Sequence, residues 1–268
     1  MRTATRKALP PAALELAADL CRALDPVLLA RQAGYELDPW QADALRSRYG
    51  RLLLNCSRQS GKSTVTALMA VEEAVSRPPA LILILSPSLR QSGETYRKVR
   101  AALHAMGDAA PRIIRETELT LELVTGSRIV SLPGHESTIR GFSHVALLII
   151  DEAARVRDDL IDAVRPMLAV SRGRIVMLST PWGQRGTFFE AFTSGETSWH
   201  RVQVTAEECP RIDPAWLADE RRRIPDWVFR QEYGCEFVAT DDEVFSHDLV
   251  SRAVDADVIP LFPLRGAA

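Results

Sequence analysis

Residues 52–65 read LLLNCSRQSGKSTV. An apolar run at 52–55 reads as a buried strand. A loop of small polar residues follows, and a helix-forming run begins at Lys62. The spacing matches the phosphate-binding pattern G-x-x-x-x-G-K-[ST] at Gly61, Lys62 and Ser63, but Cys56 stands where the first glycine belongs. A loop between a strand and a helix start turns backbone N–H groups and the positive end of the helix toward an anion. Lys62 then neutralises the β- and γ-phosphates of ATP, and Ser63 takes Mg²⁺. The expected nucleotide-binding set is Ser57, Arg58, Gln59, Ser60, Gly61, Lys62, Ser63 and Thr64.

Gly-Lys-Ser alone is a weak signal, so the rest of the chain has to supply a second half. LLIIDEAA at 147–154 does so. Asp151 falls at the tip of an apolar strand expected at 145–150, where it can hold Mg²⁺ directly or through water. Glu152, just beyond, can orient and deprotonate an attacking water. Acids at such places also end strands or cap helices; pairing with the upstream loop favours the catalytic roles. Ser179-Thr180-Pro181 follows another apolar strand at 174–178. A parallel sheet would bring it to the same ligand-facing edge, where its hydroxyls can sense the γ-phosphate through Glu152 or water. A plain Ser/Thr turn before Pro181 is the alternative. Gln41, in Asp38-Pro39-Trp40-Gln41, carries the donor and acceptor that match an adenine edge, though a solvent-exposed helical glutamine would look the same.

Around these motifs, strands and helices alternate. Further strands are expected at 81–85, 120–124, 128–132 and 199–204, with Thr125-Gly126 closing a hairpin. Helices are expected at 62–76, at 90–105 with Arg97, Lys98 and Arg100 on the surface, and at 160–169. The pattern defines an α/β fold with a mostly parallel sheet covered by helices on both faces. One amphipathic helix is expected at 11–30, carrying Leu14, Leu16, Leu20, Leu24 and Leu28. A short one starts at Pro39 behind an Asp38 cap. Two short helices after Asp213, broken by Pro225, read as a small helical lid. The expected organisation is an N-terminal helical extension (1–34), a nucleotide-binding core (35–208), a lid (209–240) and a tail (241–268).

The 268 residues carry 46% hydrophobic and 25% charged residues and a formal net charge of −2. That is ordinary for a soluble globular protein and gives no global basic signal for nucleic acid. Any DNA contact must come from local patches. Arg221, Arg222 and Arg223 form the densest one, and Arg112 and Arg115 are comparable; a charge run on a short helix is otherwise a solvated face. The four cysteines lie far apart with no metal-ligand spacing, which argues against a zinc site or a disulfide framework.

Taken together, the motifs resemble the ATPase domain of the large terminase subunit of tailed bacteriophages. The resemblance is carried by Gln41, Ser57-Arg58-Gln59-Ser60-Gly61-Lys62-Ser63, Ile139-Arg140-Gly141, 148–154, Ser179-Thr180-Pro181, and Arg230-Gln231-Glu232-Tyr233-Gly234 with Glu236-Phe237. The loop of that family often lacks its first glycine and contains a basic residue, here matched by Arg58. Cys56 then reads as a small, inert, buried side chain. The resemblance implies a P-loop (ASCE-type) fold and ATP hydrolysis with Mg²⁺ that drives double-stranded viral DNA into a procapsid. Arg140 is implied as a finger reaching a neighbouring subunit's γ-phosphate. Also implied are a homo-oligomeric ring, often of five subunits, on the portal protein, a small terminase subunit as partner, and the host-cell cytoplasm as location. In isolation the chain is expected to be a monomer. Such proteins usually carry a nuclease domain as well; the short segment after Phe237, with Asp241, Asp242 and Glu243, predicts no nuclease activity here. Two other readings are a helicase-like DNA-remodelling ATPase and a nucleotide-regulated docking module with little hydrolysis.

Overall fold

The apolar runs pair into one eight-stranded sheet in the computed structural model, which describes residues 10–133 and 141–239. In chain order the strands are β1 (Arg51–Cys56), β2 (Leu81–Ser86), β3 (Ile113–Glu116), β4 (Thr120–Leu123), β5 (Arg128–Pro133), β6 (Val145–Asp151), β7 (Arg174–Ser179) and β8 (His200–Val204). Their order across the sheet is β3-β4-β5-β2-β6-β7-β1-β8. The six from β5 to β8 are mutually parallel, and β4 runs antiparallel to both β3 and β5. The fold is the mostly parallel α/β architecture expected, with the edge strand β3 in addition.

Both faces of the sheet are buried, and the side chains alternate between them. Leu52, Leu54, Ile82, Ile84, Leu147 and Ile149 point to one core. That core is shared with Val65 and Leu68 of α4 (Lys62–Ser76) and with Tyr96 and Val99 of α5 (Leu89–Ala105). Leu53, Leu83, Leu85, Leu148 and Ile150 point to the other. There they meet Leu160 and Ile161 of α6 (Asp158–Val164) and Phe188 of α7 (Gly186–Thr193), a helix not expected from the sequence. Each such side chain, once buried, contributes about 1.5–3 kcal/mol. This is why these strands read as unbroken apolar runs rather than as alternating ones.

The expected helix at 11–30 is two helices, α1 (Pro11–Leu24) and α2 (Pro26–Gln32). Asp25 ends the first and caps the second, accepting a hydrogen bond from the Val27 N–H, while Pro26 fits the first helical position because it has no N–H to satisfy. Of the leucine stripe, Leu16, Leu20 and Leu24 are exposed and Leu28 is half-buried. The expected boundary at residue 34 falls between α2 and α3 (Pro39–Arg46), and Leu29 and Ala30 of α2 belong to the main core. The helix expected at 160–169 stops at Val164 and continues as a 3-10 turn through Leu168. No helix among the described residues is long and apolar enough to cross a membrane.

Beyond β8, α8 (Pro214–Arg223) and α9 (Asp226–Glu232) form a separate small cluster in which Leu217 and Phe229 pack with Ala206. Asp213 caps α8 through the Ala215 N–H. Parallel pairing also sets the level of the strand ends. Leu54, Leu178 and Asp151 are aligned across β1, β7 and β6, and Asn55 is aligned with Ser179. Residues far apart in sequence therefore reach the same sheet edge.

Candidate nucleotide-binding site

The chain leaves β1 at Cys56 and enters α4 at Lys62, so the turn must be made in residues 57–61. The two left-handed residues in this turn are Gln59, at φ 61°, and Gly61, at φ 90°. Cys56 belongs to the strand and has no need of glycine's conformational freedom. Its side chain is fully buried, and burial pushes the thiol up, away from the reactive thiolate. Gly61 is a different case. A Cβ there would sit 2.5 Å from Gln41 Nε2 and 2.8 Å from Arg211 Nη2.

The loop is braced from several elements. Ser57 donates its N–H to the Val204 carbonyl, and Ser60 Oγ donates to the Ser57 carbonyl. The Ser60 carbonyl accepts from Gln41 Nε2 at 3.3 Å and from Arg211 Nη2 at 2.6 Å. Gln41 is buried, and its Oε1 accepts from the Asp38 N–H at 2.9 Å. An adenine contact by Gln41 would compete with these two bonds. The glutamine is a buried brace, not a solvent-exposed helical side chain.

A cavity of about 500 Å³ opens at the loop and is lined by residues 58–63, Glu152, Arg155 and Thr180, with Gln91 and Lys98 from α5. Lys98 is half-buried and lines the cavity, while Arg97 and Arg100 of the same helix are exposed. The Lys62 ammonium donates to the Cys56 and Ser57 carbonyls at 3.3 and 3.2 Å and to Thr180 Oγ1 at 2.6 Å. Ser63 lies in the first turn of α4 and Thr64 donates its N–H to the Gly61 carbonyl. Ser179 Oγ lies 3.4 Å from Glu152 Oε2, so the two hydroxyls before the buried Pro181 touch the two residues expected to do the chemistry.

Asp151 is buried at the end of β6. Its Oδ2 accepts from Thr95 Oγ1 at 2.8 Å and its Oδ1 from the Glu152 N–H at 3.0 Å. Burial and then the neighbouring Glu152 push its carboxyl above the usual carboxylate range, partly offset by the Thr95 hydrogen bond and the Lys62 charge. Glu152 itself takes a left-handed conformation at φ 51°. Ser63 and Glu152 line the cavity and the buried Asp151 stands next to Glu152, so hard oxygen donors are available there. Among the described residues no cluster of three or more His, Cys, Asp or Glu side chains forms a closed metal cage. Mg²⁺ fits such a site, because it takes one or two carboxylates and completes its shell with water and substrate phosphates.

Sequence reasoning missed a second tier. Glu232 of α9 pairs with Arg58 through the guanidinium Nε and Nη2, and lies 3.9 Å from Arg155. Arg155 in turn lies over the Trp182 ring at 3.9 Å. Glu232 falls inside one of the family-like segments, but a carboxylate cannot be matched to a distant arginine from spacing alone. Among the DNA candidates, Arg222 and Arg223 pair with Asp219 on their own helix, and Arg221 lies over Phe229. Arg112 is exposed just before β3, and Arg115, in β3, is 3.6 Å from Glu122. Arg140, Asp241, Asp242 and Glu243 lie outside the described residues.

The sheet order, the loop between β1 and α4 and the acid pair at the end of β6 define a P-loop NTPase fold of the ASCE type. More narrowly, residues 53–252 match the model of the family "Terminase large subunit, T4likevirus-type, N-terminal", and the chain belongs to that family. It is 27% identical over 248 residues to the terminase large subunit of Thermus phage G20c, covering 80% of this chain and 51% of that protein. The chain thus spans about half the length of the curated relatives it matches. Among solved structures it resembles the large terminase ATPase domain of Thermus phage P74-26 at 25% identity and a TM-score of 0.68, over 78% of this chain and 97% of that one. It shares its fold with the large terminase of a further thermophilic bacteriophage, solved in complex with ADP, at 12% identity and a TM-score of 0.63, over 75% of this chain and 54% of that one.

Proposed function

We propose that this chain is the ATP-hydrolysing motor domain of a viral DNA-packaging terminase. The observation that carries the reading is the convergence of Lys62, Glu152 and Thr180 on one cavity at the sheet edge, with Asp151 buried behind them. The names of the relatives support it, as does the ADP complex of the thermophilic phage terminase. The loop N–H groups and Lys62 would hold the β- and γ-phosphates, so Lys62 must exchange Thr180 and the loop carbonyls for phosphate oxygens. Glu152 would position the attacking water and take its proton. Ser63 and Asp151 would hold Mg²⁺, which would supply neutralisation of the charge that develops on the phosphates. Ser179 and Thr180 report occupancy, because one touches the base and the other the lysine. Arg58 must leave Glu232 to reach a phosphate, so nucleotide binding would release α9 and let residues 209–240 act as a lid.

Arg140 would complete the site of a neighbouring subunit in a ring, with double-stranded DNA, a portal protein and a small terminase subunit as partners in the host cytoplasm. The test is the steady-state ATPase rate with Mg²⁺ across protein concentration for the wild type, Glu152→Gln and Arg140→Ala. Turnover that rises more than linearly with concentration and collapses in both variants is expected. Nucleotide binding without turnover at any concentration would overturn the motor reading in favour of a docking module. Turnover per chain independent of concentration, and unchanged in Arg140→Ala, would overturn the finger.

A further inference from the structure

We infer that Thr95 is a positioning residue for the metal–nucleotide site: its hydroxyl fixes the Asp151 carboxylate in the orientation that receives the cation, which makes α5 a wall of the catalytic centre. The inference rests on reading Asp151 as the metal ligand. Thr95 Oγ1 donates to Asp151 Oδ2 at 2.8 Å, and both side chains are buried, at 1% and 3% exposure. The Glu152 N–H holds the other oxygen. Each carboxylate oxygen has two lone-pair positions, so one protein donor on each fixes the plane of the group and leaves the remaining positions for a cation. Ligating carboxylates are commonly held this way by a second layer of hydrogen bonds.

The placement of Thr95 is specific. A helical threonine can satisfy its hydroxyl on the carbonyl four residues earlier, but this one is directed to a residue of another element. Its branched Cβ limits the hydroxyl to few positions. Gln91, Thr95 and Lys98 recur at i, i+4 and i+7, which is one stripe of a helix. Gln91 and Lys98 line the nucleotide cavity, so the stripe as a whole faces the centre. The helix is pinned in that rotation, because Ser92 Oγ donates to the Leu132 carbonyl and Ser131 Oγ donates to the Ser92 carbonyl. Its outer side reaches the sheet edge through the Arg100–Glu116 ion pair.

The experiment is the affinity for a fluorescent ADP analogue (mant-ADP), measured in EDTA and in Mg²⁺, for wild type, Thr95→Val, Thr95→Ser and Asp151→Asn. Valine keeps the shape and removes the donor. We expect Thr95→Val to bind within about twofold of wild type in EDTA and to lose about 10–100-fold of the Mg²⁺-dependent tightening, the range for losing such a support. Thr95→Ser, which restores the donor, should recover most of it. Wild-type tightening in Thr95→Val, or equal losses in EDTA and Mg²⁺, would overturn the inference. If Asp151→Asn keeps the full metal dependence, the ligand assignment itself fails. If only that variant loses it, Asp151 stands and Thr95 does not. Should Thr95→Val fail to fold by circular dichroism, Thr95→Ala takes its place with the same criteria.

Discussion

Asp151 is a buried carboxylate with no ion pair among the described residues, held by one hydroxyl and one backbone N–H. Its pKa is raised by burial first and by Glu152 second. A group whose folded pKa lies above its unfolded value binds more protons in the folded state. Its contribution is therefore present below the unfolded pKa of about 3.9 and is lost as pH rises through the folded pKa. Without metal, ionising the buried group therefore costs the fold stability as pH rises through that folded pKa. Asp151→Asn should accordingly raise Tm in EDTA at neutral pH, by about 2–4 °C for each kcal/mol relieved in a chain of this size. The difference from wild type should shrink as the buffer is made more acidic. A lower Tm for the variant at neutral pH in EDTA would show that the carboxylate is not a strained group. Function at the cost of stability is the common pattern for such residues.

At the scale of elements, two close approaches decide how the pieces fit. Gly173, just before β7, passes close to the start of β6: a Cβ there would lie 2.0 Å from the Val145 carbonyl oxygen. That neighbour is backbone in the middle of the sheet and cannot step aside. Gly173→Ala should destabilise the protein by about 1–3 kcal/mol or more, the range for forced overpacking, measurable by urea unfolding. The second approach joins α9 to the loop. Arg58 is 58% exposed and Glu232 12% exposed, so solvent screens the pair and its worth to stability is small, about 0–1 kcal/mol. Its consequence lies in binding, since Arg58 cannot serve Glu232 and a phosphate at once. Glu232→Gln is expected to change Tm little and to tighten ATP binding several-fold in titration. Weaker binding would mean that Glu232 supports the nucleotide-bound form instead of opposing it.

For the molecule as a whole, charge and polarity bear on DNA. A formal net charge of −2 leaves no global attraction, so the proposed grip on DNA would have to come from one face. Arg222 and Arg223 pair with Asp219 on their own helix and Arg115 lies 3.6 Å from Glu122, whereas Arg112 is exposed beside β3 with no ion pair among the described residues. Affinity for double-stranded DNA should fall steeply with salt and show little sequence preference. Arg112→Ala with Arg115→Ala should lower the slope of log K against log salt by about 1–2, at roughly 0.9 for each phosphate no longer neutralised, while Arg222→Ala with Arg223→Ala should change it less. Fluorescence anisotropy across a salt series distinguishes the two faces. The reverse ranking would move DNA binding to α8.

How much of this was legible in the sequence differs by kind of feature. Continuous apolar runs announced β1, β2, β6 and β7, because strands buried on both faces need apolar residues at every position. The placement of Lys62, Ser63, Asp151 and Glu152 at one sheet edge was legible, because each stands at or just after the end of a buried apolar strand. The break at Asp25-Pro26 was also written in the chain, as a cap followed by proline, but the leucine spacing across it concealed the break. The exposure of Leu16, Leu20 and Leu24 was not legible, since amphipathicity gives a face and not a partner. Neither were Thr95 beside Asp151, Glu232 beside Arg58, or the brace of Gln41 and Arg211 on Ser60. The sequence alone determined the periodicity, the loop and the acid pair, all of which depend on neighbours within a few residues. Only the tertiary structure decided which distant polar groups meet, because strand order and helix rotation, set by packing across both faces of the sheet, bring them within hydrogen-bonding distance.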